Sequence, residues 1–350
     1  MPIDFSQITA CGECCAGCGK KADGRCEGCI ESDGHCKEWA QSRGCPIHKC
    51  ARRHGVQFCG LCHEFPCKWL VEKVTWNPHI VEDLTGLAGQ YRQKELDDSI
   101  QIMTGAIQSI LGGANPTIYL FGSVVLGDFK LGWSDIDILV LTDRPIGKRQ
   151  ARKLVKLRQR LMKEYRGNPY FRLFEGGMLS KRAFFGNEKD TVVYWGTSGQ
   201  RLTDEYRLDS FAVAELLDCG MLLCGEDVRD RMAYPTHVQF KADIQRHYNA
   251  VRQHGQNTNA TKGTQCGWLL DIARGLYTLR TDKVIAKTAA GEWALADGLA
   301  PEPDILRRAV EIRRDPLKYI DNPQAIAWCA ALGEHNMAFA DVLEQELSIH

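Results

Sequence analysis

A tight Gly-Ser turn, followed after eleven residues by two aspartates on one strand, constrains the fold of this chain more than any other segment. Residues 117–121 are rich in β-branched and aromatic side chains and predict a strand that leads into Gly122 and Ser123. Asp135 and Asp137 run into an apolar stretch and predict the entrance of a second, buried strand. Because residues i and i+2 of a strand project from the same face, the two carboxylates can converge on one divalent cation or bridge two.

The residue types around this turn suit a bound metal and phosphate. Mg²⁺ prefers carboxylate, phosphate and water oxygens, so one or two Mg²⁺ ions are expected at Asp135 and Asp137. Gly122 places only a hydrogen at the side-chain position, which lets phosphate approach the backbone N–H groups. Ser123 adds a hydroxyl donor, and residues 124–126 are expected to open a helix whose N-terminus favours an anion. The alternative is a solvated aspartate pair beside an ordinary turn.

The complete pattern resembles the nucleotidyltransferase superfamily, which is typified by DNA polymerase beta and the aminoglycoside adenylyltransferases. That family combines Gly-Ser or Gly-Gly, a spacer of similar length, and Asp-x-Asp or Asp-x-Glu. The resemblance implies a polymerase-beta-like domain that uses ATP. It also implies catalytic, metal-binding roles for Asp135 and Asp137 and nucleotide contacts from Gly122, Ser123 and Ser134.

Length and charge set broad limits on the protein. The chain has 350 residues, of which 44% are hydrophobic, and is long enough for two or three domains with substantial cores. Its formal net charge is +0, so it has no global field to hold a long polyanion, and nucleic acid is disfavoured as the main partner. The first residues lack a basic start and an apolar stretch, and no run is long enough to span a membrane. These features predict a soluble, cytoplasmic protein with no membrane partner.

The cysteines are concentrated near the N-terminus, with twelve of the sixteen between Cys11 and Cys67. In a reducing compartment this density indicates metal ligation, and two Cys-x₂-Cys pairs can complete a tetrahedral zinc site with bonds of about 2.3 Å. Twelve thiols would suffice for three zinc sites. Two sites with free thiols, iron–sulfur ligation and a disulfide-stapled cap are the alternatives. The candidate ligands are Cys11, Cys14, Cys15, Cys18, Cys26, Cys29, Cys36, Cys45, Cys50, Cys59, Cys62 and Cys67.

Four histidines in the same segment are possible substitute ligands, although each fits an ordinary surface histidine better: His35, His48, His54 and His63. The segment has few large apolar residues, so metal binding is expected to supply much of its folding free energy. Its Cys-Gly-Glu-Cys-Cys string and the stretch from Phe58 to Cys67 resemble a small family of cysteine-rich prokaryotic domains of unknown function. That resemblance implies metal and no particular activity.

Two segments after the aspartates carry further charge. Residues 149–166 are basic with leucines on another face and predict an amphipathic helix, for which a solvated face is favoured over nucleic-acid binding. Residues 170–179 predict a strand with Glu175 embedded in it, and residues 191–195 predict a further strand. In the adenylyltransferases that the chain resembles, a third acidic residue comes from the strand after the Asp-x-Asp strand. The resemblance places Glu175 there, as general base or metal ligand, with an edge-strand salt bridge as the alternative.

Helical periodicity dominates from Tyr206 onwards and predicts an all-α domain whose first helix covers residues 208–223. Its middle, which begins at Trp268 and contains an alanine-rich helix led by Lys287, resembles the C-terminal domain of streptomycin and spectinomycin adenylyltransferases. The resemblance implies that Lys287 reaches the triphosphate and that Asp227 contacts the nucleotide. A surface lysine and a helix N-cap are the alternatives.

Together these features predict an α+β protein with three parts. They are a cysteine-rich metal-binding module at 1–75, a nucleotidyltransferase domain with a mixed sheet at 76–205, and an all-α domain at 206–350 that closes a cleft. The predicted reaction is Mg²⁺-dependent transfer of AMP from ATP to a hydroxyl of a small acceptor. By resemblance the acceptor is an aminoglycoside or aminocyclitol, which implies a role in antibiotic resistance. The alternatives are transfer to a protein or RNA end and a non-catalytic, metal-dependent interaction protein. Zn²⁺ is expected in the N-terminal module, with iron–sulfur as the other possibility.

Overall fold

A computed structural model describes residues 3–39, 41–186, 188–196, 199–256 and 264–349 of the chain. The chain divides into two compact units, residues 1–100 and 101–350. The predicted three-part division, with boundaries after residues 75 and 205, stays a prediction. None of the helices within the described ranges is long and apolar enough to cross a membrane.

The first unit consists of short helices and turns around a small apolar core. Phe58, Leu70 and Leu84 are fully or almost fully buried in it, and Tyr91 meets the Phe58 ring edge-on at 5.8 Å. The short helices are α1 (Gly19–Ala22), α2 (Pro46–Arg53) and α3 (Lys68–Lys73), and the unit also includes the longer helix α4 (Ile80–Leu111) up to Ile100. Proline at the first position of α2 suits a helix start, because its missing N–H would have no intrahelical partner there. The cysteine-rich segment therefore packs against apolar side chains that lie after Cys67 in the sequence.

The second unit is built on a six-stranded mixed sheet in the order β5-β4-β3-β2-β1-β6. The strands are β1 (Thr117–Phe121), β2 (Ile136–Thr142), β3 (Phe174–Ser180), β4 (Val192–Gly196), β5 (Gly199–Thr203) and β6 (Met221–Cys224). Only β2 and β3 are parallel within this sheet, and the connection between them contains α5 (Lys148–Val155) and α6 (Leu157–Glu164). The indole N–H of Trp195 on β4 donates to the Leu154 carbonyl at 3.2 Å, which holds α5 against the sheet.

The register of the sheet aligns the predicted site residues. Phe121 at the end of β1 pairs with Asp137, and Asp137 in turn pairs with Glu175 on β3. The Gly-Ser turn after β1 and the Glu175 carboxylate on β3 therefore lie on the two sides of Asp137, at the same end of these strands. The predicted α+β class and mixed sheet are confirmed.

Three details of the predicted secondary structure are wrong. Residues 124–126 form tight turns instead of a helix, because Gly127, at φ +68°, takes the chain out of helical geometry. The basic segment forms two helices that separate at Lys156, so it is not one continuous helix. The helix predicted over residues 208–223 ends at Asp218, and the following apolar residues form β6, which pairs with β1 at the sheet edge.

Residues 206–350 are mostly helical but not all-α as predicted, because β6 belongs to the sheet. The remaining helices are α7 (Lys181–Gly186), α8 (Ser210–Asp218), α9 (His237–His254), α10 (Thr264–Thr281), α11 (Lys287–Ala296), α12 (Pro303–Arg314), α13 (Pro316–Tyr319), α14 (Pro323–Ala330) and α15 (Gly333–Ile349). Their ends carry ordinary start signals. Thr236 forms a capping box with Gln239 at the start of α9, and Asn322 accepts two backbone N–H bonds at the start of α14. The core of this region is mainly aliphatic, and Leu270, Leu276 and Leu343 are fully buried in it.

Candidate active site

A cavity of about 270 Å³ lies in the second unit at the edge of the sheet where β1 ends and β2 begins. One side is formed by the Gly-Ser turn and the two aspartates, and the other by residues of α8, α10, α11 and α12. The charged and hydroxyl side chains that line it are Ser123, Asp128, Ser134, Asp135, Asp137, Asp209, Glu215, Arg274, Lys287 and Arg313. The two aspartates at β2 therefore lie opposite a helical side that carries both basic side chains (Arg274, Lys287 and Arg313) and acidic ones (Asp209 and Glu215).

The turn after β1 requires glycine at its first position. Gly122 has a φ of +72°, and a Cβ there would collide with the carboxylate of Asp137. The Ser123 hydroxyl donates to the backbone carbonyl of Asp135 at 3.3 Å, which ties the turn to the start of β2. Gly122 therefore leaves room for the carboxylate of Asp137, and its predicted contact with phosphate stays a prediction.

Asp135 directly precedes β2 and Asp137 is its second residue, so both line the cavity as the i, i+2 spacing predicts. Burial raises the pKa of Asp137 to about 8, and the charges of Glu215, Asp135 and Glu175 add to the rise while Lys287 opposes it. Burial also raises the pKa of Asp135. A bound divalent cation would reverse both effects, because it favours the ionised carboxylates. The pair therefore fits a metal site in its donor atoms and its electrostatics.

Glu175 lies beside Asp137 on the neighbouring parallel strand. It is not among the residues that line the cavity, but its charge acts on Asp137 and on the buried guanidinium of Arg158. Burial lowers the pKa of Arg158, and the carboxylates of Glu175 and Asp135 oppose that change. Glu175, the third predicted carboxylate, is therefore next to Asp137, and the positive charge of Arg158 acts on it.

Lys287 is the first residue of α11 and lines the cavity, so it is not an ordinary surface lysine. Its ammonium lies 2.8 Å from the carboxylate of Asp271 on α10. Burial opposes ionisation of Asp271, but Lys287, Arg274 and His247 hold its pKa down at about 2. Arg274 also donates to Glu215 at 3.0 Å. The helical side of the cavity is therefore a network of paired charges in which Lys287 and Arg274 are the cations.

Asp128, in the loop before β2, forms hydrogen bonds and an ion pair with residues of α11 and α12. The carboxylate of Asp128 accepts bonds from the backbone N–H and the hydroxyl of Thr288, at 3.3 and 2.7 Å. It also pairs with the guanidinium of Arg313 on α12 at 3.1 Å, and the Arg313 and Asp128 side chains are only 2% and 8% exposed. Arg313 lies over the ring of Trp133 at 5.3 Å. Since Thr288 follows Lys287, these contacts position the start of α11 at the cavity.

The two remaining predicted nucleotide contacts differ in placement. Ser134 is buried, lines the cavity and accepts the backbone N–H of Lys130 at 3.0 Å. Asp227 is not at the cavity. It bonds the hydroxyl of Tyr119 at 3.0 Å and the guanidinium of Arg229 at 2.6 Å, which depresses its pKa strongly. The placement of Asp227 favours a structural role between β1 and the loop after β6.

Sequence reasoning missed several residues that line the cavity, among them Asp128, Asp209, Glu215 and Arg313. Glu215 was detectable in principle, because it interrupts an apolar helix and is 7% exposed. Asp128 and Arg313 carry no such local signal. They are 185 residues apart in sequence and meet only in the folded protein.

The predicted zinc ligands lie in the first unit, where some of the thiols lie near Cys59, others lie near Cys29, and the charge of Cys11 acts on both. Burial raises the pKa of Cys59 to about 12, and the nearby charges of Cys50, Cys67, Cys11 and Cys62 raise it further. Because ionised thiolates near one another repel, a cation bound between them would stabilise the group.

Burial also raises the pKa of Cys29, as do a side-chain bond with Cys36 and the charges of Cys36, Cys15 and Cys11. All twelve cysteines are free thiols, so the disulfide alternative is not supported. The charge of Cys45 also acts on Cys11, and Cys26 accepts the backbone N–H of Gly28 at 3.4 Å.

Comparison with known families identifies the two halves of this site. A model of the nucleotidyltransferase domain matches residues 106–166, and a model of the aminoglycoside adenylyltransferase C-terminal domain matches residues 242–325. The chain is an enzyme with a nucleotidyltransferase domain. The first match contains the Gly-Ser turn and both aspartates, and the second contains Asp271, Arg274 and Lys287. The alternative of a non-catalytic interaction protein is set aside.

A solved structure supports the same fold. The enzyme is similar to the crystal structure of spectinomycin adenyltransferase AAD(9) from Enterococcus faecialis with ATP and spectinomycin, with a TM-score of 0.50 and 14% sequence identity. The likeness covers 71% of this chain and 98% of that chain. At this identity it is a likeness of fold alone. None of the curated proteins matches the chain.

Proposed function

We propose that the enzyme transfers AMP from ATP to a hydroxyl group of a small cationic acceptor, an aminocyclitol or aminoglycoside, in a Mg²⁺-dependent reaction. The observation that carries the proposal is the single cavity that joins Asp135, Asp137 and the Gly-Ser turn to Lys287 and Arg274. Carboxylates for a metal, a glycine turn for phosphate and cations for the developing charge are the parts that phosphoryl transfer needs. Transfer to an aminoglycoside would modify an antibiotic and confer resistance.

The triphosphate would lie between the Gly-Ser turn and the helical cations. Gly122, at φ +72°, lets the turn form directly beside the Asp137 carboxylate, and the backbone N–H groups of the turn would bind phosphate oxygens. Lys287 and Arg274 would neutralise the phosphates from the opposite side, and each already has a carboxylate partner in the protein. When ATP binds, a phosphate group would replace the Asp271 carboxylate as the partner of the Lys287 ammonium. The ammonium would therefore be paired both before and after binding, and no buried cation would be left without a partner.

Asp135 and Asp137 are the residues that would hold one or two Mg²⁺ ions. When bound, Mg²⁺ supplies charge neutralisation at the α-phosphate and the leaving pyrophosphate. Glu175 would accept the proton of the acceptor hydroxyl, since it stands next to Asp137 in the register of β2 and β3. Arg158 behind Glu175 and Asp135 favours the ionised form that a general base requires.

The acceptor would enter through a smaller cavity of about 160 Å³ that shares Asp209, Phe211, Arg274 and Lys287 with the first. Asp209, Asp243 and Asp271 supply three carboxylates to its wall, which suits the ammonium groups of an aminocyclitol.

One polar atom in this cavity also lacks a partner. The Nε2 atom of His247 is buried and has no hydrogen-bond partner among the described residues, so a ligand hydroxyl could satisfy it. The spectinomycin in the similar structure agrees with an acceptor of this kind.

Transfer to an RNA end is the second candidate, because one face of the enzyme is strongly basic. Seven exposed lysines and arginines lie on α5, on α6 and at the residue between them, and form no ion pair with any described residue: Lys148, Arg149, Arg152, Lys153, Lys156, Arg160 and Lys163. Such a face would bind a phosphate backbone in a salt-dependent manner. The N-terminal module, for which we propose bound Zn²⁺, would then recruit the substrate.

The test is transfer of label from α-labelled ATP, with Mg²⁺, to a panel of aminocyclitols, aminoglycosides, tRNA and protein. We expect a labelled aminocyclitol or aminoglycoside, and a loss of about 10²–10³-fold in rate for Asp135→Ala, as is typical when a central electrostatic group is removed. Asp304→Ala, at an exposed carboxylate outside the cavity, is the matched control. Label on tRNA alone would favour the second candidate. Label transfer that survives Asp135→Ala would refute the proposed site.

A further inference from the structure

Three metal-binding side chains converge on the surface of the first unit, and two of them are histidines. Ligand atoms of His54, Cys62 and His63 all lie within 4.8 Å of one another. The two imidazole rings are 5.5 Å apart between centroids. Cysteine spacing alone favoured an all-thiolate site at Cys62 and left both histidines as ordinary surface residues.

Local structure explains why these three meet. His54 is the residue at which α2 ends, so its side chain leaves the last turn of that helix. A short 3₁₀ turn over Cys59–Leu61 then reverses the chain, and Cys62 and His63 follow it directly. The segment between α2 and this turn is only a few residues long, which keeps the two ends close. The cluster is therefore a product of one helix end and one tight turn.

The distances suit a tetrahedral ion. Zinc bonds of about 2.0 Å to nitrogen and 2.3 Å to sulfur place neighbouring ligand atoms about 3.5 Å apart in a tetrahedron. Atoms that already lie within 4.8 Å of one another need to move by only about 1 Å to reach that geometry, and surface side chains do so by small rotations. Glu64 adds a carboxylate 3.8 Å from the Nε2 atom of His63, where it can orient the imidazole as an outer partner.

We propose that His54, Cys62 and His63 form a Zn²⁺ site of mixed nitrogen and sulfur ligands, in which Cys62 binds together with the two histidines rather than with the other thiols near Cys59. One thiolate and two imidazoles select a borderline-soft ion such as Zn²⁺ over Mg²⁺ or Ca²⁺, which prefer oxygen. Three protein ligands leave the fourth position to water or an exogenous ligand. The His63 side chain is 77% exposed, so the ion is accessible from solvent and exchanges with it.

The first test counts zinc in the purified full-length enzyme by mass spectrometry, after the enzyme has been loaded with excess Zn²⁺ and unbound metal has been removed by gel filtration in metal-free buffer. His63→Ala and His54→Ala should each lose close to one equivalent relative to wild type. His79→Ala is the matched control, because His79 lies in the same unit, is similarly exposed at 70% and belongs to no such cluster among the described residues. His63→Cys should retain the equivalent, since thiolate replaces imidazole as a ligand.

A second measurement does not depend on counting the other zinc sites. Diethyl pyrocarbonate modifies free imidazoles, and peptide mass spectrometry reports each histidine separately. In zinc-loaded wild type, His54 and His63 should be protected, and a chelator should make both reactive while His79 reacts equally in the two states. Unchanged zinc content in both alanine variants, or equal reactivity of His54 and His63 with and without zinc, would overturn the proposal.

Discussion

Replacing Asp128 by alanine should destabilise the enzyme strongly, because it removes the charge partner of a buried arginine. The two side chains meet at 3.1 Å and are 8% and 2% exposed, and Asp128 also accepts two bonds from Thr288. The loss of one member of a buried ion pair costs about 3–5 kcal/mol, mostly from the charge that stays behind. For a unit of this size each kcal/mol lowers the melting temperature by about 2–4 °C. The expected decrease is on the order of 10 °C.

The assay is thermal and urea unfolding of Asp128→Ala, Arg313→Ala and the double variant, which together form a double-mutant cycle. A direct pair predicts that the double variant loses less stability than the sum of the two single variants, by more than about 1 kcal/mol. Asp304→Ala is the control, because Asp304 pairs with Arg307 on the surface with a side chain that is 93% exposed and should have little effect. A decrease below about 2 °C in Asp128→Ala, or strictly additive losses, would refute the reasoning.

Three further predictions concern the catalytic cavity. The pKa of Asp137 is raised from 3.8 to about 8, so the metal-free folded protein favours the neutral carboxyl. The protonated carboxyl therefore stabilises the folded state at low pH, and this stabilisation is lost as pH rises from about 4 through about 8. Asp137→Asn should therefore raise the melting temperature of the metal-free enzyme near pH 8 but not near pH 4. The same variant should lose activity and Mg²⁺-dependent stabilisation. A melting temperature equal to that of wild type at both pH values would contradict this prediction. Gly122→Ala should abolish activity, because the new methyl group displaces Asp137 and occupies a left-handed conformation, whereas Gly127→Ala, at a similar φ in open space, should retain most of it. Lys287→Ala should raise KM for ATP by at least about tenfold, as expected from the loss of a charge-assisted bond, and equal KM values in wild type and variant would exclude contact with the nucleotide.

The residues of the site that could be predicted from sequence are those whose positions depend on turn geometry and strand periodicity within one short segment. The strand over residues 117–121, the turn at Gly122 and the carboxylates of Asp135 and Asp137 lie within about twenty residues, and the strand period of two settles which side chains share a face. Lys287 was found differently, through resemblance, and the structure brings it to the same cavity. Asp227, which rested on resemblance as well, lies elsewhere, since Arg229 two residues later offers it a closer partner.

The errors in secondary structure arose where tertiary contacts outweigh local preference. Residues 221–224 continue an apolar pattern that fits a helix, but β1 presents an unpaired edge, and backbone pairing with it turns them into β6. Similarly, residues 124–126 have no helix-breaking side chain, and the positive φ of Gly127 ends the helical turn before it can propagate. Sequence periodicity cannot register either cause, because one depends on a distant strand and the other on a single backbone torsion.

The charges of the cavity also explain why its helical side was the harder half to predict. On the sheet side, Asp135 and Asp137 are costly when buried without a cation, so they stand out as an anomaly in an apolar strand. On the helical side, Arg274 and Lys287 are neutralised by Glu215 and Asp271, and such pairs look like ordinary surface charge in a sequence. A site that keeps its cations paired before substrate arrives avoids the cost of burying them alone. The same pairing means that the affinity for ATP should depend on how readily Asp271 releases Lys287. Asp271→Asn should therefore lower KM for ATP in the same assay in which Lys287→Ala raises it, and a rise in both variants would show that Asp271 supports the lysine instead of competing with phosphate for it.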